Sequence, residues 1–278
     1  MLKLIPQSRY ALICLLLMST GAFAQSYRVL LSNDDGIQSP LLVAMHDALA
    51  ALPDVEVVVS APHENQSGSS QSSSGNPVIV DEIYRDGSFF GYAVHGKPAD
   101  AVRFGLVNLG REERFDLVVS GINLGANVGD VSHLSGTVGA AMEAQYHGLP
   151  SIAVSQDTSD VNTEASARFA ARLVQKYQQG GAPEGVVISI NIPGGELKGV
   201  QVRPMGDAYL QTGSYELLER GNNSASYNRE RIVVQSTDPS TDTFSYQQGY
   251  ITLTPLKFDW TDYDFISEVE AWNLQLEK

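Results

Sequence analysis

Short apolar runs alternate with amphipathic stretches along most of this chain. In stretches such as residues 40–52 and 164–178, apolar residues recur about every three or four positions, which predicts helices. The apolar runs have the length of strands and cover residues 27–31, 55–59, 115–119, 151–155 and 186–190. Near-continuous apolar strands separated by helices indicate a parallel sheet that is covered on both faces. We therefore predict an α/β fold with a parallel sheet flanked by helices.

Two regions depart from this alternation. Extended pieces near residues 78–83 and 89–94 flank an Asp-Gly pair, which is typical of a hairpin turn. Beyond about residue 199, β-like segments rich in Tyr, Thr and Gln replace the alternating pattern. Because the sequence has no internal repeat and no clear linker, we predict one domain over residues 25–278 with a β-rich C-terminal extension from about residue 199.

Residues 1–24 have the pattern of a secretory signal peptide. A stretch with Lys3 and Arg9 precedes an apolar run at 11–18, and an Ala-Phe-Ala site comes directly before Gln25. An uncleaved anchor or a buried helix is the alternative, but the apolar run is short for a membrane span of about 20 residues. We predict an exported, periplasmic protein that has no membrane attachment after cleavage.

Composition and charge narrow the classes of function. The 278 residues include 18 basic and 32 acidic side chains, giving a formal net charge of -14 at pH 7. An acidic surface repels phosphate backbones, so we expect no binding to nucleic-acid polymers. A small phosphorylated substrate is still compatible, because one cation or helix terminus can override the field locally. The one cysteine, Cys14, lies in the predicted signal peptide, which excludes a catalytic thiol in the mature chain.

The polar segments at the predicted strand ends carry the candidate chemistry, because open parallel sheets bind ligands there. Asp34 and Asp35 follow the first strand, and Gly36 permits a turn that would let both carboxylates face one ion. Such a pair would suit a hard divalent cation such as Mg²⁺ or Mn²⁺. A solvated Asp-Asp-Gly turn is the alternative.

Three other segments at strand or helix ends have both a functional and a structural interpretation. Ser67 and Gly68 lie in a serine-rich stretch that is also typical of a flexible loop. Asn123 follows the strand at 115–119, where an ordinary turn residue is the alternative. The Ser-Gly-Thr segment at 135–137 begins a predicted helix, and it can either cap that helix or hold a phosphate group.

Other common catalytic motifs are absent from the sequence. There is no G-x-S-x-G elbow and no phosphate-binding P-loop, which argues against the common serine hydrolases and NTPases. His63, His95 and His133 flank the polar loops, but their spacing matches no zinc motif. We interpret these histidines as exposed loop residues.

Taken in order, the polar and apolar blocks resemble the SurE family of stationary-phase survival proteins, which are metal-dependent 5′/3′-nucleotidases. The matching blocks are residues 30–37, 61–68, 96–100, 119–127, 135–143, 152–155 and, more weakly, 249–256. The resemblance implies a Rossmann-like fold and hydrolysis of nucleoside monophosphates with one divalent metal ion, Mg²⁺ or Mn²⁺, per subunit. It also implies a dimer or tetramer assembled partly through the C-terminal extension.

The resemblance also assigns roles to individual residues. The metal ligands would be Asp34, Asp35, Ser67 and Asn123. Our mechanistic hypothesis adds that one of the two aspartates would also be the catalytic base, unless both only bind the metal. In the same hypothesis, the remaining phosphate oxygens would be held by Gly68, Ser135, Gly136 and Thr137. Lys97, at the rim of the site, and Leu134 stand where the family usually has Thr and Tyr, and these departures bear on substrate preference.

Two other functions fit the same sequence. The first is a broader acid phosphatase or exopolyphosphatase of the same architecture, which a panel of substrates would distinguish. The second is a non-catalytic periplasmic ligand binder, against which the complete set of metal ligands argues.

Overall fold

The computed structural model of the chain describes residues 26–207 and 209–276, so the predicted signal peptide lies outside the described residues. The strands are β1 (Tyr27–Ser32), β2 (Val55–Pro62), β3 (Val80–Arg85), β4 (Ser88–Val94), β5 (Leu117–Leu124), β6 (Ser151–Gln156), β7 (Val187–Ile192), β8 (Val200–Val202), β9 (Leu210–Arg220), β10 (Ala225–Val233) and β11 (Ile251–Leu256). The helices are α1 (Pro40–Ala50), α2 (Pro98–Phe104), α3 (Gly136–Tyr146), α4 (Thr163–Gly180), α5 (Asp242–Gln247) and α6 (Ile266–Ala271). A π-helical turn, Gly105–Leu109, continues α2, and 3₁₀ turns cover Gly129–Leu134 and Tyr263–Phe265.

Nine of the described strands form one sheet in the order β3-β4-β2-β1-β5-β6-β7-β11-β8. The six strands from β4 to β7 are all parallel, whereas β3 and β11 pair antiparallel with β4 and β7. This confirms the predicted parallel sheet, and its central order is that of a Rossmann fold. The order reverses between β1 and β5, because the chain runs outward from β1 through β2 to β4 and then returns to β5.

Helices cover both faces of this sheet. Val29 and Leu31 of β1 pack with Leu42 of α1 and Val174 of α4 on one face. Leu30, whose side chain points to the other face, packs with Val102 of α2 and Ala140 of α3. Because both faces of β1 are buried, its central residues Val29, Leu30 and Leu31 are all apolar.

Local sequence signals fix the ends of several elements. Pro40 is the first residue of α1, and the Ser39 hydroxyl accepts a hydrogen bond from the Leu41 amide at 3.3 Å. Asp86 and Gly87 connect β3 and β4 with φ values of 49° and 80°. Positive φ at both positions is the geometry of a tight hairpin turn, so the predicted hairpin is present.

The C-terminal region divides into two parts. β8 and β11 return to the main sheet, whereas β9 and β10 form a separate antiparallel hairpin. Every residue of these two strands except Leu210 is exposed. The region is therefore rich in strands as predicted, with the short helices α5 and α6 as additions that the sequence pattern did not indicate. Among residues 26–207 and 209–276, no helix is both long enough and apolar enough to cross a membrane.

Candidate active site

The candidate site lies at the carboxyl ends of β1 and β5, where the strand order reverses. Ser32 at the end of β1 is the register partner of Ser120 in β5. Residues 33–36, which follow β1, and residues 121–124, the last four of β5, therefore continue side by side beyond the last pair of these two strands. Open parallel sheets bind ligands in the crevice at this position, so the topology selects these two segments from all the predicted polar loops.

Asp34 is almost completely buried, with 2% of its surface exposed. Its Oδ1 atom accepts a hydrogen bond of 2.5 Å from the Thr137 hydroxyl. Burial raises the pKa of Asp34 to about 6, and the charge of Asp35 contributes to the rise, whereas the hydrogen bond from Thr137 opposes it. A cation beside Asp34 would favour its ionised form, because an opposite charge offsets the cost of burial.

Asp35 is half-buried and links three segments of the site. Its Oδ2 atom accepts a hydrogen bond from the Leu124 amide at 3.0 Å, and Oδ1 accepts one from Asn65 Nδ2, also at 3.0 Å. Burial raises the pKa of Asp35, although both hydrogen bonds favour the ionised carboxylate. Asp35 therefore connects the end of β1 to the end of β5 and to the loop after β2.

The turn that carries both aspartates is closed by its own residues. Gly36 has a φ of 97°. Asn33 Nδ2 donates a hydrogen bond to the Gly36 carbonyl at 3.0 Å, and the Gly36 amide donates one to Asn33 Oδ1 at 3.2 Å. A Cβ atom at position 36 would lie 3.0 Å from the carbonyl carbon of Glu64. Both the φ value and the close approach require glycine, as the sequence predicted.

The N-terminus of α3 packs directly against Asp34. A Cβ atom on Gly136 would lie 2.8 Å from the Asp34 Cβ and 2.9 Å from its Oδ2. The Ser135 hydroxyl accepts a hydrogen bond from the Val138 amide at 3.1 Å and so caps the helix. The Thr137 hydroxyl donates its hydrogen bond to Asp34. These contacts place the Ser-Gly-Thr segment at the site, and the role of its residues in binding phosphate stays a prediction.

The serine-rich loop is anchored, in contrast to the flexible-loop interpretation of its sequence. Asp100 accepts hydrogen bonds from the Ser73 hydroxyl at 2.7 Å and from the next backbone amide at 2.8 Å. Glu143, which is buried, accepts one from Gln71 Nε2 at 2.9 Å. Arg103 forms ion pairs with both carboxylates at 2.9 and 2.8 Å. These contacts join the loop to α2 and α3.

Ser67 and its neighbours are placed by the same loop. The Ser67 amide donates to Asn65 Oδ1 at 3.0 Å, and the Gln66 amide donates to the Asp34 carbonyl at 2.7 Å. Ser69 Oγ is buried and has no hydrogen-bond partner among the described residues. A Cβ atom on Gly136 would lie 2.9 Å from Ser69 Oγ and 2.9 Å from Asp34 Oδ2, so both oxygens lie beside the start of α3. Ser69 is therefore a site residue that sequence reasoning missed. Its position two residues after Ser67 is the signal that could have indicated it.

Asn123 lies within β5, beyond an irregularity in its pairing with β6. Ser120 pairs with Ala153, and Asn123 pairs with Ser155, so β5 carries one extra residue between them. A bulge of this kind redirects the following side chain. Asn123 is buried, and its Nδ2 donates to the Gly125 carbonyl at 2.6 Å. The side-chain carbonyl oxygen is therefore the atom with which Asn123 would bind a cation.

Lys97 is half-buried at the start of α2. Its Nζ donates to Gln66 Oε1 at 2.8 Å, and its backbone amide donates to Asp100 Oδ2 at 2.9 Å. Burial alone would raise the pKa of Asp100, but hydrogen bonds from Lys97 and from residues of the serine-rich loop outweigh it and lower the pKa. The structure thus places Lys97 against the loop that carries Ser67.

Comparisons with known proteins identify the family. The sequence profile described as Survival protein SurE matches residues 29–212. The chain belongs to the SurE family. The match covers both strand ends that form the site, together with the serine-rich loop and the start of α3.

Relatives of known name and structure agree with this family assignment. The 5′-nucleotidase SurE of Petrotoga mobilis is 36% identical over 249 residues, which cover 88% of this chain and 98% of that protein. The 5′-nucleotidase SurE of Rhodopirellula baltica is 36% identical over 256 residues, with 89% and 99% covered. The crystal structure of the SurE protein from Aquifex aeolicus, 32% identical, superposes with a TM-score of 0.76 over 89% of this chain and 100% of its own. These comparisons confirm the family and the fold that the sequence blocks predicted.

Proposed function

We propose that this SurE-family protein is a divalent-metal-dependent nucleotidase that hydrolyses nucleoside monophosphates to nucleosides and phosphate. The observation that carries the proposal is the pair Asp34 and Asp35 at the point where the strand order reverses, in a chain whose relatives are named 5′-nucleotidases. Fold alone would not assign an activity, because one fold hosts many reactions. The carboxylate pair supplies the specific chemistry.

The residues present fit a hard divalent cation. Two carboxylates, an amide oxygen and a hydroxyl form an all-oxygen donor set, which Mg²⁺ and Mn²⁺ prefer and which contains no soft ligand. The proposed ligands are Asp34, Asp35, Ser67 and Asn123. When bound, one such ion per subunit would supply Lewis-acid stabilisation of the negative charge that develops on the phosphoryl group. The buried Ser69 hydroxyl, which has no partner among the described residues, adds a further polar atom at the same place.

The chain itself would orient the substrate and manage the proton. Gly68 and the start of α3 would present backbone amides to a phosphate group, since a helix N-terminus favours negative charge. Either Asp34 or Asp35 would accept the proton of the attacking water, unless both only bind the metal. Hydrolysis of phosphate monoesters is among the slowest uncatalysed reactions, so positioning and electrostatic stabilisation must supply most of the rate enhancement.

Two further features of the proposal concern assembly and location. The β9–β10 hairpin exposes Tyr215, Leu217 and Tyr227, which supports a dimer or tetramer assembled through this arm. The signal-peptide pattern of residues 1–24 supports export to the periplasm. In that compartment the enzyme would release phosphate and nucleosides from nucleotides outside the cytoplasm.

Chelation and substitution together test whether hydrolysis requires a metal ion and the carboxylate of Asp34. Chelation should abolish hydrolysis of nucleoside monophosphates, and Mg²⁺ or Mn²⁺ should restore it. Asp34→Asn should lower kcat/KM by about 10³-fold, equivalent to about 4 kcal/mol, because a neutral amide leaves the cation underbalanced. Asp86→Asn is the matched control, since it makes the same change in an exposed hairpin turn outside the proposed ligand set, where Asn tolerates the positive φ. Activity that survives both chelation and Asp34→Asn would overturn the proposal.

A substrate panel separates the remaining functions. Under the proposal, 5′- or 3′-nucleoside monophosphates give the highest kcat/KM. Equal or higher values with p-nitrophenyl phosphate or with polyphosphate would instead indicate a broader phosphatase or an exopolyphosphatase. Binding of nucleotides without any turnover would indicate a ligand binder.

A further inference from the structure

Three residues outside the proposed active site converge at the β3–β4–β2 side of the sheet. His63 follows β2, Asp81 lies in β3, and His95 follows β4. The two imidazole rings stack with centroids 4.1 Å apart and planes 20° apart. His95 Nε2 lies 2.7 Å from Asp81 Oδ2. One ligand atom from each of the three residues lies within 4.8 Å of those of the other two.

The backbone beneath these side chains is fixed by strand pairing. The His63 amide donates to the Val94 carbonyl at 2.8 Å, and the His95 amide donates to the Ile79 carbonyl at 2.9 Å. Asp81 is the register partner of Ala93 in β4. The three Cα positions are therefore set by three neighbouring strands, and only the side chains need to move for the donor atoms to approach one another.

We propose that His63, Asp81 and His95 bind a second metal ion of the imidazole-preferring class, with Zn²⁺ as its representative. Two imidazoles and one carboxylate are the donors that catalytic-type zinc sites use, with a fourth position for water. Zn–N and Zn–O bonds of about 2.0–2.2 Å place tetrahedral donors about 3.4 Å apart. All three side chains are exposed, so rotation about their side-chain bonds closes the gap from the observed spacing.

The chemistry of this cluster differs from that of the proposed active site. Asp34, Asp35 and Asn123 offer oxygen atoms alone, which suit a hard cation, whereas His63 and His95 offer nitrogen atoms. The two sites are also connected along the chain. The segment that begins at His63 continues to Asn65, whose side chain donates to Asp35 at 3.0 Å.

A small cavity of about 260 Å³ lies between the histidine cluster and the rim of the proposed active site, and its walls include His63, His95, Gln66 and Lys97. A cation at the cluster would cross-link β2, β3 and β4 and would restrain the first residue of the loop that carries Ser67. The ion would thus hold this part of the sheet and the loop together, and it would be independent of the ion that the carboxylates hold.

The test removes the carboxylate site first, so that only the histidine cluster can bind. Untagged mature-length protein carrying Asp34→Asn and Asp35→Asn is titrated with Zn²⁺ by calorimetry, and bound Co²⁺ is followed by its visible absorption. We expect one equivalent of Zn²⁺ to bind. Adding His63→Gln or His95→Gln should weaken that binding by at least about tenfold, because loss of even an outer-shell partner of a metal ligand typically weakens metal binding by about 10–100-fold. Thermal melts confirm that each variant is folded.

The matched control is His46→Gln in the same background. His46 also pairs with a carboxylate, at 3.0 Å from Asp47, but within the described part of the chain no second histidine joins this pair. We expect His46→Gln to leave Zn²⁺ affinity unchanged. Absence of stoichiometric binding, undiminished binding in both His63→Gln and His95→Gln, or an equal loss in His46→Gln would overturn the proposal. None of these outcomes depends on nucleotidase activity, so failure here is distinct from failure of the proposed function.

Discussion

The proposed active site buries polar and charged side chains, whereas the β9–β10 hairpin exposes large apolar side chains. At the site, the charged group Asp34 is 2% exposed and Thr137 is fully buried, and the two form a hydrogen bond. On the hairpin, Tyr215 and Leu218 are 64% and 65% exposed although both are large and apolar. Burying a charge costs free energy, and so does leaving a large apolar surface in water.

This difference indicates what stabilises each region. Under the proposed function, a cation complements the carboxylates of the site, and a second subunit covers the apolar surface of the hairpin. The site has additional support from within the chain, because Asp100, Arg103 and Glu143 anchor the serine-rich loop. A two-stranded hairpin alone is only marginally stable in water. Changes at the site should therefore alter chemistry, whereas changes on the hairpin should alter assembly.

Gly136→Ala, at the packing contact between α3 and Asp34, should reduce turnover strongly. Alanine favours a helix, but its Cβ would lie 2.8 Å from the Asp34 Cβ, so Asp34 or α3 must shift. A displacement of about 1 Å in a catalytic group costs roughly 10²-fold in rate, and we expect kcat/KM to fall by that amount. Steady-state kinetics with a nucleoside monophosphate measure the effect.

The control for this change is Gly180→Ala at the end of α4. A Cβ atom at position 180 meets nothing within 4 Å, so activity should not change. Wild-type kinetics in Gly136→Ala would show that the close packing of α3 on Asp34 is unimportant for catalysis.

Thr137→Val should have a smaller effect, because it preserves volume and removes only the hydrogen bond to Asp34. A hydrogen bond to a charged group contributes about 1.5–3 kcal/mol, so we expect kcat/KM to fall by about tenfold or more. Thr137→Ser keeps the hydroxyl and should stay within about threefold of wild type, since a threefold change corresponds to less than 1 kcal/mol. If Thr137→Ser loses as much activity as Thr137→Val, the methyl group rather than the hydroxyl is the important feature.

The main elements can be predicted from the sequence because their signals are local. The apolar runs indicate β1, β2 and the central strands, and Asp86-Gly87 indicates the hairpin turn. Asp34 and Asp35 are identifiable because Gly36 and a preceding strand are visible in one short segment. The family resemblance adds Ser67 and Asn123, whose own sequence context is ordinary.

Features that depend on long-range pairing are not visible in the sequence. The hydrogen bond between Thr137 and Asp34 joins residues 103 positions apart. The local context of Asn123 is equally typical of a turn residue, because a bulge inside β5 has no clear local signal. His63, Asp81 and His95 have no zinc-motif spacing, and only the order β3-β4-β2 brings them together.

Disruption of the hairpin should have the smallest effect on turnover and a large effect on assembly. Tyr227 pairs with Leu217 and Arg229 pairs with Tyr215, so Tyr215, Leu217 and Tyr227 share one face. Changing all three to Ser should convert the proposed oligomer to monomers in light scattering coupled to size exclusion, since stable interfaces bury about 800 Å² per partner. We expect kcat/KM per subunit to change less than about threefold, below 1 kcal/mol, because all proposed site residues come from one chain. Glu216→Gln, a polar change elsewhere on β9, is the control and should leave the mass unchanged. An oligomer that stays intact after the triple change would show that the subunit interface does not depend on these three side chains of the hairpin.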